Sequence, residues 1–358
     1  GVSNLDGIVS PAYFVFDLDG AEGKFFHVAI RSKTYVPFFT QASDGVRVGQ
    51  WDLNQSRMKE IPFFIPSTEE QTQIACFLGW ETAQINKFIR NKRRFIELLK
   101  EQKQNVINQA VTRGLDPKVK FKPSGVEWIG DIPEHWEVRR LKFLCHNLNE
   151  QTSEKQPGET YIALEHVESW TGRISLPDDE ITFDSQVKRF QPGDVLFGKL
   201  RPYLAKVTRP QTAGVCVGEF LVLRATGDVS ADFLEQKLRS KRVIDLINSS
   251  TFGAKMPRAD WTFIGNLKFA YPPADEQREI LEHIQEKSAE IDQAISRAQR
   301  EIELMREYRT RLISDVVTGQ VDVRGIEVPE VAEDELLALE EDTADVVIDD
   351  EGDMDETD

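Results

Sequence analysis

A stretch of about 45 residues occurs twice in this chain, 206 positions apart and without a gap, and it limits what the rest can fold into. Pro66 falls on Pro272, Glu70-Gln71 on Glu276-Gln277, Ile74 on Ile280, Ile85 on Ile291, and Ile89 on Ile295. Further along, Ile96-Glu97-Leu98 falls on Ile302-Glu303-Leu304, Ile107 on Ile313, and Val111-Thr112 on Val317-Thr318. Within each copy isoleucine recurs every eleven residues, at 74, 85, 96 and 107 and again at 280, 291, 302 and 313. A second apolar row, Leu78, Ile89 and Val111, is matched by Ile284, Ile295 and Val317. Eleven residues in three turns is about 3.67 per turn, so the stripe runs nearly straight along a helix. At ~1.5 Å per residue each copy is a rod of roughly 65–70 Å.

A rod of that length exceeds a small domain, and its stripe requires a partner. The other copy supplies one, in a parallel or antiparallel pair; a core helix of an ordinary helical domain is the alternative. Both starts are marked. Pro66-Ser67-Thr68-Glu69-Glu70 and Pro272-Pro273-Ala274-Asp275-Glu276 place proline ahead of the first turn and acids within it, where the helix dipole favours negative charge. Gly114 and Pro117 end the first rod.

The sequence ahead of the first rod is a relative of the sequence ahead of the second. Gly7 to Phe16 alternates like a strand and resembles Gly214 to Leu223. Phe25-Phe26, Arg31-Ser32-Lys33 and Gly45 to Val48 match Phe233-Leu234, Arg239-Ser240-Lys241 and Gly253 to Met256. The second domain begins near Pro123, so by the repeat about 85 residues ahead of Gly1 would complete the first. From Tyr161 to Leu223, short β-branched runs broken by Gly, Pro and Asp predict a β-rich domain. Ser230 to Ile247 predicts an amphipathic helix with Ser230 as N-cap. Trp128 and Trp136 are expected to pack.

The net charge of −17 is uneven. Residues 330–358 hold 15 acids and no Lys or Arg, so the remainder carries 44 bases against 46 acids, a net of −2. Such a tail is expected to be disordered and solubilising, or to compete for a basic surface. The three cysteines are far apart and the five histidines show no ligand spacing. With no signal peptide and no apolar run of membrane-spanning length, a cytoplasmic location without a membrane span is expected.

Glycine-rich phosphate loops and nucleophile elbows do not occur. A Mg²⁺ nuclease pattern has one loose match, Pro177-Asp178 with Glu235-Gln236-Lys237, and the latter reads as the solvated face of a helix. The positive signal is local charge. Residues 188–209 hold Lys188, Arg189, Lys199, Arg201, Lys206 and Arg209 against one acid, Asp194. A turn there would present Lys199, Arg201 and Tyr203 together. A second basic loop, 252–258, carries Lys255 and Arg258, and its relative in the first domain carries Arg47. Long cations neutralise phosphates, and arginine reads guanine edges with two hydrogen bonds. Lys188, Arg189, Lys199, Arg201, Tyr203, Lys255, Arg258 and Arg47 are the candidate DNA contacts; no catalytic or metal-binding residue is expected.

The segments PSGVEWIGDIPEHWEV at the domain start, GDVLFGKLRPYL within it, and IPSTEEQTQI and PPADEQREI at the rod starts resemble the specificity subunit of type I restriction-modification systems. The resemblance covers residues 1 to about 325. It implies an α+β, pseudo-twofold fold: β-rich target-recognition domains joined by two long antiparallel coiled-coil helices. The corresponding divisions are 1–60 (C-terminal part of the first recognition domain), 61–114 (first long helix), 115–122 (linker), 123–266 (second recognition domain), 267–320 (second long helix) and 321–358 (acidic tail). It further implies a non-catalytic subunit that reads a split double-stranded DNA site and docks two modification (methyltransferase) subunits on its helices, with restriction (translocase and endonuclease) subunits joining them. No cofactor is expected in this chain; S-adenosylmethionine, ATP and Mg²⁺ belong to the partner subunits. The incomplete first domain departs from the family pattern. A coiled-coil scaffold that binds only protein is the alternative reading.

Overall fold

The computed structural model describes residues 7–10, 13–45, 52–177, 186–253 and 255–329. Arg47, Asp178 and residues 330–358 of the acidic tail lie outside the described residues. In chain order, α1 (Gly23–Ile30) and α2 (Val36–Gln41) precede β1 (Ser43–Asp44), β2 (Asp52–Leu53), α3 (Gln55–Met58) and α4 (Thr68–Arg113). Then come β3 (Phe121–Pro123), β4 (Asp131–Pro133), β5 (Glu137–Arg140), β6 (Cys145–Leu148), β7 (Gln151–Thr152) and β8 (Thr160–Ile162). Next are β9 (Val187–Phe190), β10 (Val195–Gly198), β11 (Val207–Thr208), β12 (Gly214–Val217) and β13 (Phe220–Ala225). The chain continues through α5 (Ala231–Leu238), α6 (Lys241–Ser249), α7 (Trp261–Ile264), β14 (Lys268–Tyr271) and α8 (Ala274–Val317). The fold is α+β, and the two long helices are the duplicated rods. Among the described residues no helix is long and apolar enough to cross a membrane.

Two compact units share these elements, residues 1–97 with 294–358, and residues 98–293. Each takes part of both rods. In the first unit Ile74, Leu78, Ile85, Ile89 and Ile96 of α4 pack with Ala298, Ile302, Leu312, Val316 and Val317 of α8. Lys92 pairs with Glu301 at 2.6 Å, and Arg309 donates to Asn86 Oδ1 at 2.7 Å. One number rises as the other falls, so the pairing is antiparallel. In the second unit Ile107, Ala110 and Val111 meet Ile280 and Ile284, and Lys103 pairs with Asp292 at 2.7 Å, again antiparallel. The eleven-residue row of α4 is buried throughout. That of α8 drifts at its end: Ile313 is only partly buried, and Leu312 and Val316 hold the seam.

The helix termini follow local chemistry. Ser67 Oγ accepts from the Glu70 N–H, and Gly114 closes α4 at φ 75°. That left-handed value favours glycine, and a Cβ there would stand 2.9 Å from Glu276 Oε1.

In the second unit a four-stranded antiparallel sheet, ordered β11-β10-β13-β6, lies between two partners. Its alternate side chains divide accordingly. Val195, Phe197, Leu221 and Leu223 join the core with α5 and α6. Leu196, Phe220 and Val222 face the second sheet, β7-β9-β12-β8, where Phe190 and Cys216 wait. Period-two alternation with both faces apolar is what a strand covered on both sides requires. Trp136 is fully buried in the core, and Trp128 packs edge-on against Phe269.

Two expectations change. The amphipathic stretch after Ser230 is two helices. Ser230 caps the first, but Ser240 is extended (φ −64°, ψ 140°) and its hydroxyl donates to the Lys237 carbonyl at 2.6 Å, turning the chain between α5 and α6. The apolar face nevertheless stays together, with Phe233, Leu234, Leu238, Ile244 and Ile247 all buried. Residues 13–18 form no strand, and Tyr13, Phe14, Val15 and Phe16 are exposed. Their relatives in the second unit are held between hydrogen-bonded neighbours on both edges; no such neighbour flanks them among the described residues. The described part of the first unit ahead of its rod is therefore helical, with one two-residue strand pair.

The repeat extends into these helices. α1 and α5 stand at corresponding positions, each capped by a side chain from the residue before it: Glu22 accepts from the Phe25 N–H, and Ser230 from the Phe233 N–H. Asn54 caps α3 as Asp260 caps α7.

Candidate nucleic-acid interface

The loop between β10 and β11 carries Lys199, Arg201 and Tyr203, and its course is dictated by its backbone. Lys199 N–H donates to the Glu219 carbonyl (2.9 Å), and Gly198 N–H to the Lys206 carbonyl (2.9 Å). Between these anchors the chain makes a 3₁₀ turn at Pro202–Leu204, flanked by Arg201 (φ 49°, ψ 60°) and Ala205 (φ 48°, ψ 42°). Left-handed backbone at residues with a Cβ is strained, and such strain clusters where side chains must be aimed.

The second basic loop is bound to the first. Arg201 N–H donates to the Pro257 carbonyl (2.8 Å), and Ala259 N–H to the Lys199 carbonyl (2.8 Å). Arg258 closes on Phe252 through a reciprocal pair of backbone hydrogen bonds, 3.1 and 3.0 Å. Two loops more than fifty residues apart in sequence thereby form one surface. On it Arg201, Tyr203, Lys255 and Arg258 are exposed, and Lys199 is half-buried. Phe252 and Met256 are exposed beside them, at 75% and 53%. Arg258 is held by Glu219 at 3.0 Å. Among the described residues the side chains of Arg201 and Lys255 make no hydrogen bond or ion pair. The surface thus offers cations for phosphates, a planar guanidinium for a base edge, and apolar groups for thymine methyls or unstacked bases. Phe252 and Met256 were missed by the charge pattern; their sequence signal is large apolar residues in a Gly- and Pro-bearing loop with no periodic partner.

Four cations of the 188–209 run are engaged inside the domain. Lys188 is buried and its ammonium donates to the Phe220 carbonyl at 2.8 Å. Burial, and then the charge of Lys199, pulls its pKa below the ordinary value. Arg189 is held by Glu159 (2.9 Å) and Glu150 (3.5 Å). Lys206 donates to the Leu164 carbonyl at 2.7 Å, and Arg209 pairs with Asp232. Lys188 and Arg189, candidate DNA contacts by sequence, thus stand with partners inside the domain rather than on the surface that carries Arg201 and Lys255.

The loose nuclease pattern also changes. Lys237, expected on a solvated face, is buried, donates to the Val111 carbonyl at 2.5 Å, and lies 5.9 Å from the centre of the Trp136 ring. Glu235 pairs with Arg239 at 3.2 Å. Among the described residues no group of His, Cys, Asp and Glu is arranged to hold a metal.

No protein-family model matches the chain. It is 23% identical over 260 residues to the type I restriction enzyme EcoDI specificity subunit of Escherichia coli, covering 67% of this chain and 58% of that one. It is 23% identical over 299 residues to the MjaVIII specificity subunit of Methanocaldococcus jannaschii, covering 76% and 65%. The chain therefore spans about three fifths of the length of these relatives. In fold it resembles a chain from a solved type I restriction-modification system, with a TM-score of 0.59 at 14% identity over 84% of this chain and 72% of that one. Two rods written in one register and matching helices ahead of each thus stand in a chain that is similar in sequence to type I restriction specificity subunits.

Proposed function

We propose that the chain is the DNA-reading subunit of a type I restriction-modification complex, and that it performs no chemistry itself. The observation that carries this reading is the surface built from the two pinned loops. It sets Lys199, Arg201, Tyr203, Lys255 and Arg258 beside exposed Phe252 and Met256 on one β-rich domain. In this reading the domain of residues 123–266 reads one half of a split site, and Arg47, which corresponds in sequence to Lys255, contributes to reading the other half. The rods dock the methyltransferase subunits, which bring S-adenosylmethionine; restriction subunits bring ATP and Mg²⁺. The complex works in the cytoplasm, where its DNA lies.

The test is equilibrium binding of the chain, assembled with its methyltransferase subunits, to duplexes that carry or lack the selected site, across a range of salt. Contacts to phosphate make log K fall linearly with log salt, at roughly 0.9 per phosphate neutralised. Arg201→Ala is expected to remove about 1–3 kcal/mol of discrimination at one base pair while the rods stay folded. Binding that ignores both salt and sequence would favour a protein-binding scaffold instead.

A further inference from the structure

We infer that Gln277, and Gln71 at the corresponding place in the first unit, are positioning residues that fix each recognition module at a set angle on its own rod. The inference rests on the DNA-reading role for its consequence, but not for its geometry.

Gln277 stands in the first turn of α8 and is 2% exposed. Its side-chain amide makes three hydrogen bonds. Oε1 accepts from the Ser230 N–H at 2.9 Å, and Nε2 donates to the carbonyls of Asp228 and Pro272, both at 2.9 Å. Asp228 and Ser230 belong to the loop that leaves the central strand β13 and opens α5. Pro272 belongs to the turn that opens the rod. One amide therefore ties three backbone segments: the exit from the sheet, the start of the packing helix, and the start of the rod.

Gln71 repeats the arrangement. It is fully buried in the first turn of α4. Its Oε1 accepts from the Glu22 N–H at 2.5 Å, and Nε2 donates to the carbonyls of Gly20 (3.2 Å) and Pro66 (2.8 Å). Glu22 and Ser230 are the N-caps of α1 and α5, so the partners correspond one for one. The surrounding residues are not preserved in the same way: Glu22 stands where Ser230 does, and Gly20 where Asp228 does. What recurs is the amide and the three backbone groups it satisfies. A core residue needs only volume, whereas these positions need an acceptor and two donors at fixed directions. Glutamine supplies that set from a helix without adding charge. Leaving any of these buried backbone groups unpaired is costly, so tilting the module on its rod breaks the two bonds to the module's backbone, while the proline bond holds the amide in place on the rod.

The consequence concerns the DNA. A module whose angle on the rod is fixed presents its loops at one distance along a duplex; a loosened module tolerates several. Nitroxide labels at Glu286→Cys on α8 and Gln151→Cys on β7, in a Cys76→Ser background, report that angle within the second unit by pulsed electron resonance. The full chain is expected to give a narrow distance distribution and Gln277→Met a clearly broader one. Ile264→Val, a buried core truncation in the same domain, should lower stability without broadening it. In the assembled complex, Gln277→Met is expected to reduce discrimination between duplexes whose half-sites differ in separation by a base pair. The expected loss is about tenfold, or ~1.4 kcal/mol. Equal widths in the full chain and Gln277→Met, or an unchanged separation preference, would overturn the inference. If the full chain shows no sequence-specific binding, the DNA-reading role fails, and the distance widths still decide the clamp.

Discussion

Arg201 and Lys237 show how differently two cations of one domain are used. Arg201 is exposed in the left-handed region, next to a proline that restricts its neighbour. Arg201→Gly relieves a backbone cost of roughly 1–2 kcal/mol and adds about 0.5–1 kcal/mol of unfolded-chain entropy. The unfolding midpoint in urea should therefore hardly move, while DNA discrimination falls as it does for Arg201→Ala. Lys237 behaves oppositely. Burial, reinforced by the charge of Arg242, pulls its pKa from 10.5 to about 7. Between those values the unfolded chain keeps a proton that the folded chain releases, so this group makes stability rise with pH from about 7 towards 10.5. Below 7 both states are protonated and the contribution is flat. Lys237→Met should remove that rise, at up to ~1.4 kcal/mol per pH unit; urea midpoints at pH 7 and 9 measure it. Equal rises in the two proteins would show that Lys237 titrates normally. Nothing in the local pattern distinguished this lysine from a solvated one, because its burial depends on the end of α4, 126 residues away.

The rods are the elements most legible from sequence. Their isoleucine row is a local periodicity, and a helix converts periodicity directly into a face. Ile89 is fully buried in the seam, so Ile89→Ala should cost about 2–5 kcal/mol. Leu98, at 47% exposure on the same helix, should cost well under 1 kcal/mol when truncated. Comparable losses for the two would mean that the seam is wrongly placed. The break between α5 and α6 was less legible. Five apolar residues share a face across it, and periodicity alone reads through a turn that keeps the face in register. The duplicated glutamines were visible as an identity, but their role was not, since their partners other than Pro66 and Pro272 lie about fifty residues upstream.

For the whole molecule, charge is the governing quantity. The 15 acids of residues 330–358 account for most of the net −17. Removing that segment leaves −2, so the long-range repulsion of DNA should weaken. Association with any duplex should then accelerate, by about tenfold at low salt and by less than twofold near physiological salt, where the Debye length is ~8 Å. Preference among sequences should stay as it was. Stopped-flow association at two salt concentrations checks this, and a change in preference would show that the tail takes part in reading bases.

The amino-acid sequence alone determined the two rods, their caps, and the register of the repeat. Each is set by neighbours within a few turns, so the information is contiguous. Tertiary structure decided which cations are available. Of the six bases between 188 and 209, four are taken by carbonyls or carboxylates brought near by folding, and the two that remain are joined by Lys255, and by Arg258 on its Glu219 partner, from a loop about fifty residues on. A charge's availability depends on what stands opposite it, and that is fixed only when distant segments meet.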